Sequence, residues 1–471
     1  MKWDKMAVIH NELLISESGI TEIESYRNLP GLNLGVILNF CKQRNLTRLW
    51  VNRTSDLWKD FQSALEKLKD PDKYRCHLPA AEFLKSPGWT VRPAGTVESV
   101  LTAWDDSSYG VKIHLPGLSM TDRQTWAFDE ITDPFELWSA IDIYRDKLGI
   151  FPGFPQGDAR EVLTASWGAK YPRVLTDDPR EYWKPFIDKN ENEFIWLREP
   201  DKAERKAKFA HAFDKRKMFL SAARGAMFGP GEYFPIGETS FTKMGNMVGL
   251  VQVKKLKFSN ALKPEFAKFL AKLFNGSEFY FTPYLHFLKD YADIQIKRGW
   301  VWPEPYRIFE KFAKQIGDAI ADTRRDDPES LHCNRAFKDL YVRLIGWFAR
   351  GCECQYCFPE RPQAMRCKLR ETFPELYRPD WRGIILAQAG ADLLRNIENV
   401  YKFTGTLPFG INHDCLMYFS EEENWEFEFS KSTVSDPNKY THEWTAPGEK
   451  VRAAIDGGLN AMQLEKAVQN A

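Results

Sequence analysis

Ile411-Asn412-His413-Asp414-Cys415-Leu416-Met417-Tyr418 places one acid in a polar turn between two apolar runs. Residues 407–420 therefore read as two short strands around that turn. Far upstream, Phe213-Asp214-Lys215-Arg216-Lys217-Met218-Phe219-Leu220-Ser221 sets a second acid where a strand gives way to a helix. A lone Asp in a turn is ordinarily a cap or a turn residue, so neither acid says much alone. What matters is that each is a single carboxylate at a strand end.

The elements around them alternate. Residues 247–258 (MVGLVQVKKLKF) read as a strand, and 303–322 as an amphipathic helix with Tyr306, Phe309, Phe312, Ile316 and Ile320 on one stripe. Further helices are predicted over about 335–350 and about 382–402. Strands carrying acids, interrupted by a helical insertion, predict an α+β palm with fingers. Residues 1–150 mix β-like runs at 47–51 and 109–117 with a helix over 133–149, where Asp133-Pro134 supplies an N-cap and a first-turn proline. Residues 150–160 are rich in Pro and Gly and read as a lobe boundary.

FDKRKMFLSAA, 213–223, resembles motif A of family B DNA polymerases. By that resemblance Phe219, five residues after Asp214, is the steric gate under the incoming sugar. Lys338-Asp339-Leu340-Tyr341-Val342-Arg343-Leu344-Ile345-Gly346 resembles motif B. Lys338 would contact the incoming triphosphate, as suits a point charge facing phosphate, with Arg335 and Tyr341 of the same helix as further nucleotide-binding candidates. NHDCLMY, 412–418, resembles motif C, with Asp414 as the metal-binding acid. Lys439-Tyr440 resembles the Lys-Tyr motif that touches the primer-template minor groove, and 378–405 resembles the palm helix before motif C. The resemblance covers roughly 195–445.

The resemblance implies template-directed DNA synthesis, or a related nucleotidyl transfer, on two Mg²⁺ (or Mn²⁺) ions at Asp214 and Asp414. Such ions sit about 4 Å apart, one activating the primer hydroxyl and the other steadying pyrophosphate. Mg²⁺ is usually held by one or two carboxylates plus substrate phosphates, which a single Asp at each of two strand ends satisfies. The partners implied are DNA, deoxynucleoside triphosphates and, by likeness to divergent mobile-element and telomere-associated members, a terminal or replication protein. The expected parts are a degenerate RNase H-like exonuclease lobe over 1–150 and a linker with the first palm part over 151–260. Fingers and a Cys-rich loop follow over 261–378, then the second palm part with a minimal thumb over 379–471.

The chain also departs from the family pattern. Asn412 stands at the first Asp of motif C, Val342 and Ile345 at the Asn and Tyr of motif B, and Phe219 at a usual Tyr. The stretch after Asp414 is short for a full thumb, which implies low processivity. No persuasive Asp-x-Glu occurs in 1–150, so no editing is expected. The second reading is a catalytically inactive polymerase-like scaffold that binds nucleic acid or protein in the replication of linear DNA ends or mobile elements. A third is a structural zinc-containing partner protein.

Charge and cysteine usage narrow the class further. Lys+Arg and Asp+Glu both number 65, so any grip on phosphate must come from patches rather than net charge. Lys202, Arg205, Lys206 and Lys208 precede motif A, and Lys254, Lys255, Lys257, Lys263, Lys268 and Lys272 follow it. Lys254, Lys255 and Lys257, with Lys439 and Tyr440, are the nucleic-acid-binding candidates; a solvated face is the alternative. The aromatic content of 14% fits packed cores or base-stacking surfaces. Cys352, Cys354, Cys357 and Cys367 could close a structural zinc site, with His332 and Cys333 as spare ligands, or could be free thiols in a loop. Eight cysteines in so long a chain do not form a secreted disulfide framework. With no run of about 18 apolar residues and no signal-peptide layout, a reducing cytoplasm without membrane contact is expected.

Overall fold

The computed structural model describes residues 6–10, 13–16, 19–22, 34–52, 55, 58–59, 88–94, 97–115, 126–153, 155–167, 195–229, 233–260, 262–274, 279–323, 327–349, 378–432 and 439–469. Contacts divide the chain into two units, Met1–Ala169 with Lys311–Tyr377 and Lys170–Glu310 with Arg378–Ala471. The stretch expected as fingers, 261–378, is thereby shared between them. The architecture is mixed α+β, the class the sequence predicts.

The first unit opens with an antiparallel meander of β1 (Met6–His10), β2 (Leu13–Ser16) and β3 (Gly19–Glu22). Helix α1 (Leu34–Gln43) then returns the chain so that β4 (Arg48–Val51) lies parallel to β1. Strands β5 (Trp89–Ala94), β6 (Val97–Asp105) and β7 (Gly110–His114) complete a sheet of order β3-β2-β1-β4-β7-β6-β5, with β7 parallel to β4. Ile37, Leu38 and Cys41 of α1 bury against Leu49, Val51, Val111 and Ile113 of the sheet. Helix α2 (Pro134–Leu148) begins where predicted. The Asp133 carboxylate accepts from the amides of Phe135 and Glu136, and Gly149 ends the helix at φ 73. Helix α3 (Pro155–Trp167) follows.

At the end of β7, His114 is buried between Trp50, stacked on it at 6.1 Å, and Phe151 at 4.4 Å. Burial, aided by the charges of Arg48 and Lys112, holds its imidazole well below the usual histidine range. In the second unit, burial likewise pulls His211 down to about 4. Both rings are neutral when folded, whereas the unfolded chain takes up their protons below about pH 6.5. The unfolded state thus binds more protons, and stability falls as pH drops from about 6.5 toward the folded values. The expected slope is at most about 1.4 kcal/mol per pH unit for each ring. His114→Phe keeps the stack on Trp50 and should remove its share, read by urea denaturation between pH 7.5 and 5; an unchanged slope refutes the assignment.

The second unit starts with β8 (Ile195–Leu197), β9 (Phe209–Lys215) and α4 (Met218–Gly225). A second sheet comprises β10 (Phe234–Ile236), β11 (Thr239–Ser240), β12 (Val248–Phe258), β13 (Phe279–Phe281) and β14 (Ala292–Trp302), with the path β10-β14-β12-β13. Helices α5 (Pro264–Leu273) and α6 (Thr282–Leu288) lie between its strands in sequence. A Cβ on Gly249 would stand 2.1 Å from the Trp300 carbonyl oxygen, so close pairing of β12 with β14 requires glycine there.

Helices α7 (Glu310–Asp322) and α8 (Pro328–Ala349) follow, and α8 packs on α2 and α3 of the first unit. The helix expected from residue 303 begins only at Glu310. The reason is that Tyr306 spends its backbone groups on a two-way exchange with Phe228, each N–H donating at 2.9 Å. Phe312, Ile316 and Ile320 still form the buried stripe.

The chain finishes with α9 (Pro379–Thr404), β15 (Gly410–Asn412), β16 (Cys415–Ser420), α10 (Glu426–Ser432), β17 (Tyr440–Pro447), α11 (Gly448–Asp456) and α12 (Ala461–Gln469). The third sheet, β17-β9-β16-β15-β8, is antiparallel throughout. Ala210, Ala212, Met417, Phe419 and Trp444 form a core with Val451, Ile455 and Leu464 of α11 and α12. Phe213, their neighbour in β9, instead stacks on Phe429 of α10 at 3.9 Å. Strand alternation thus gives this sheet two covered faces. Among the described residues no helix is long and apolar enough to cross a membrane.

Candidate active site

β9 lies between β16 and β17, and Asp214, next to its last residue, pairs with Cys415 on one side and Thr441 on the other. The hairpin of β15 and β16 closes at the Asn412–Cys415 pair, leaving His413 and Asp414 as the turn. His413 adopts φ 54, a conformation that tight hairpins need and that His tolerates better than branched residues. The Lys215 amide donates to the Asp414 carbonyl at 2.9 Å and fixes the turn against the end of β9. The two acids are thereby delivered to one point, with their carboxyl groups in hydrogen-bond contact.

That point is crowded with negative charge. Burial raises the Asp414 carboxyl above the usual range; the charges of Glu465 and Glu443 add to the rise, while backbone hydrogen bonding and the contact with Asp214 oppose it. Glu443 falls where the β17–β9 register shifts, a bulge that redirects its side chain. Its carboxyl is also raised, first by burial and then by Asp214 and Glu465. Asn412 donates its Nδ2 to Glu465 Oε2, while its buried Oδ1 has no hydrogen-bond partner. Lys215, only 3% exposed, is pulled down to about 8 by burial, with the charge of Asp392 opposing.

Glu443, Glu465 and Lys215 were not legible as site residues. The bulge that sets Glu443 near the acids and the packing that brings α12 to the hairpin both come from contacts distant in sequence. Lys215 lies inside the 213–223 stretch that resembles motif A, so its position was in view, but nothing in that stretch signals its burial.

The other candidates are placed as follows. Phe219 is half-buried in the first turn of α4, five residues from Asp214. Lys338 is exposed on α8, whereas Tyr341 is buried and Arg335 forms a two-pronged pair with Glu130 at 2.6 and 3.0 Å. Val342 is half-exposed and Ile345 buried. Lys255 and Lys257 are exposed on β12, and Lys254 beside them pairs with Glu238. Lys439 donates to Asn396 Oδ1 at 3.1 Å, and Tyr440 is only 7% exposed, set edge-on against Phe429.

Cys352, Cys354, Cys357 and Cys367 lie outside the described residues. The spare ligands suggested for them are already committed. His332 faces Glu136 at 3.2 Å, and buried Cys333 donates its Sγ–H to the Ala140 carbonyl, with burial pushing the thiol up to about 12. A thiol so far from ionisation is a poor zinc ligand. Among the described residues no group of three or more His, Cys, Asp or Glu side chains is arranged to hold a metal ion.

No protein-family model matches the chain, and neither does any curated protein. Among solved structures it is similar to Phi29 DNA polymerase complexed with primer-template DNA, at a TM-score of 0.48 and 10% identity over 94% of this chain and 84% of that one. The ternary complex of the same polymerase with incoming nucleotide matches at a TM-score of 0.48 and 11% identity, over 94% and 85% of the two chains.

Proposed function

We propose that the chain is a family B polymerase-like nucleotidyltransferase that carries out template-directed DNA synthesis. The observation that carries this reading is the meeting of Asp214 and Asp414 at adjacent strand ends, at the cost of packing like charges together. Proteins tolerate such crowding where a cation or a reaction needs it. The donor set is one of hard oxygens, two carboxylates with the unpartnered Asn412 Oδ1 close by in the same hairpin, and it fits a Mg²⁺ or Mn²⁺ ion. Bound there, the metal would supply Lewis-acid activation of a primer hydroxyl and neutralise phosphate charge.

The chain's own residues would do the rest. Asp214 and Asp414 hold the cation site in register through the Lys215 amide. By the resemblance, Phe219 would exclude a ribose hydroxyl by its bulk, and exposed Lys338 would offer an ammonium to triphosphate. Lys255 and Lys257 offer exposed charge to a nucleic-acid backbone. In the first unit, a three-strand meander continued by parallel β4 and β7 supports the RNase H-like reading. Its β1, Met6-Ala7-Val8-Ile9-His10, carries no carboxylate, which favours synthesis without editing. Zinc at the four cysteines remains a proposal that metal content of the purified chain tests, and a terminal or replication protein remains the proposed partner.

The scaffold reading is favoured by two placements: Arg335 is committed to Glu130, and Tyr440 is interior rather than presented to a groove. Primer extension with Mg²⁺ or Mn²⁺ decides. The wild-type chain should add nucleotides, and Asp214→Ala should not. Absence of extension in either metal, with DNA binding equal in both proteins, would establish the scaffold instead.

A further inference from the structure

Position 412 is where the chain most plainly departs from the motif C pattern it resembles, and the structure gives that departure a partner. Glu465 reaches it from α12, the last described helix. That helix is firmly seated. Asn460 and Gln463 cap its start reciprocally, the Gln463 amide donating to Asn460 Oδ1 at 2.9 Å and the Asn460 amide to Gln463 Oε1 at 3.0 Å. Ala461 and Leu464 are fully buried, Leu464 within the core under β9 and β16. Glu465, next to Leu464, therefore cannot drift from the hairpin without unseating the helix.

The carboxylate can only accept, so the amide of Asn412 must turn its Nδ2 toward Glu465. That choice leaves Oδ1 on the other side of the amide, buried and without a partner. An unpaired buried carbonyl oxygen is destabilising, a cost that a ligand would relieve. The contact also belongs electrically to the acid site, since the charge of Glu465 is felt at Asp414, Glu443 and Cys415. An Asp at 412 would repel Glu465; an Asn attracts it.

We propose that Glu465 is a positioning residue of the acid site, which holds Asn412 so that its Oδ1 serves as a third, neutral oxygen donor to a divalent cation beside Asp214 and Asp414. This inference rests on the acid-site reading above. It replaces the missing carboxylate of the hairpin by an amide oriented from the far end of the chain.

The test is Mn²⁺ binding by the full chain, measured by calorimetry and by the spin-resonance signal of free Mn²⁺. Glu465→Leu and Asn412→Leu should each weaken binding about tenfold, as losses of ligand-orienting partners do. The double variant should be no weaker than Asn412→Leu alone, because one residue acts through the other. Glu465→Asp, too short to reach, should weaken binding although its charge is kept. Thermal melts separate these effects from lost folding. If Glu465→Leu binds Mn²⁺ as the wild type does while Asp414→Asn does not bind, the positioning role is overturned and the acid site stands. If Asp414→Asn binds like the wild type, or the wild type binds no Mn²⁺, the acid-site reading is overturned and this inference with it.

Discussion

Asp414→Asn is expected to lower nucleotidyl transfer by roughly 10⁴-fold, as loss of a residue that acts with others at a reacting centre does. The same substitution should make the chain more stable by about 0.5–2 kcal/mol. The two expectations share one cause. Asp414 lies half-buried against Asp214, and the charges of Glu465 and Glu443 raise its carboxyl further. An acid whose folded pKa is raised costs stability at neutral pH, and that cost disappears as pH falls through the carboxylate range. Asparagine keeps the volume and sheds the charge. The gain over wild type should therefore be largest near pH 7 and shrink toward pH 4, as read by urea denaturation at both. A loss of stability at pH 7 would show that the charge is structurally compensated and that its crowding is not functional.

Asp380→Ala should destabilise the second unit by about 3–5 kcal/mol, the penalty for leaving a buried charge without its partner. Arg378 and Asp380 open α9 and are both fully buried. The guanidinium donates through Nε to both carboxylate oxygens at 3.0 Å, adds Nη2 contacts to Asp380 and to the Gly229 carbonyl, and lies 4.1 Å from the centroid of the Trp381 ring. Its Nη1 has no hydrogen-bond partner, so the pair is incompletely satisfied. Replacing both partners, Arg378→Met with Asp380→Leu, should therefore cost far less than the single change. Denaturant melts of the two variants test the contrast, and equal losses would contradict it.

Much of the local structure was readable from residue order. Asp133-Pro134 and Gly149 bracket a helix because capping is decided within a few residues, and the 247–258 run is a strand because its pattern is local. The start of α7 was misplaced, since the backbone of Tyr306 is claimed by Phe228, distant in the chain. Arg335 and Tyr440 sit in or beside segments that resemble family motifs. Their engagement with Glu130 and Phe429 comes from packing that no motif encodes.

The Asp214–Asp414 pair shows the same division. By itself the sequence determined that Asp214 ends a strand and that Asp414 occupies a hairpin turn, because turn chemistry and apolar alternation act over a handful of residues. Only the tertiary structure decided that β9 pairs with β16 in the register that joins the two carboxyls. It alone set Glu443 near the acids at a bulge and brought Glu465 across from α12. Those placements depend on cross-strand hydrogen bonds and on the burial of Leu464, energies that exist only once segments far apart in the chain have packed.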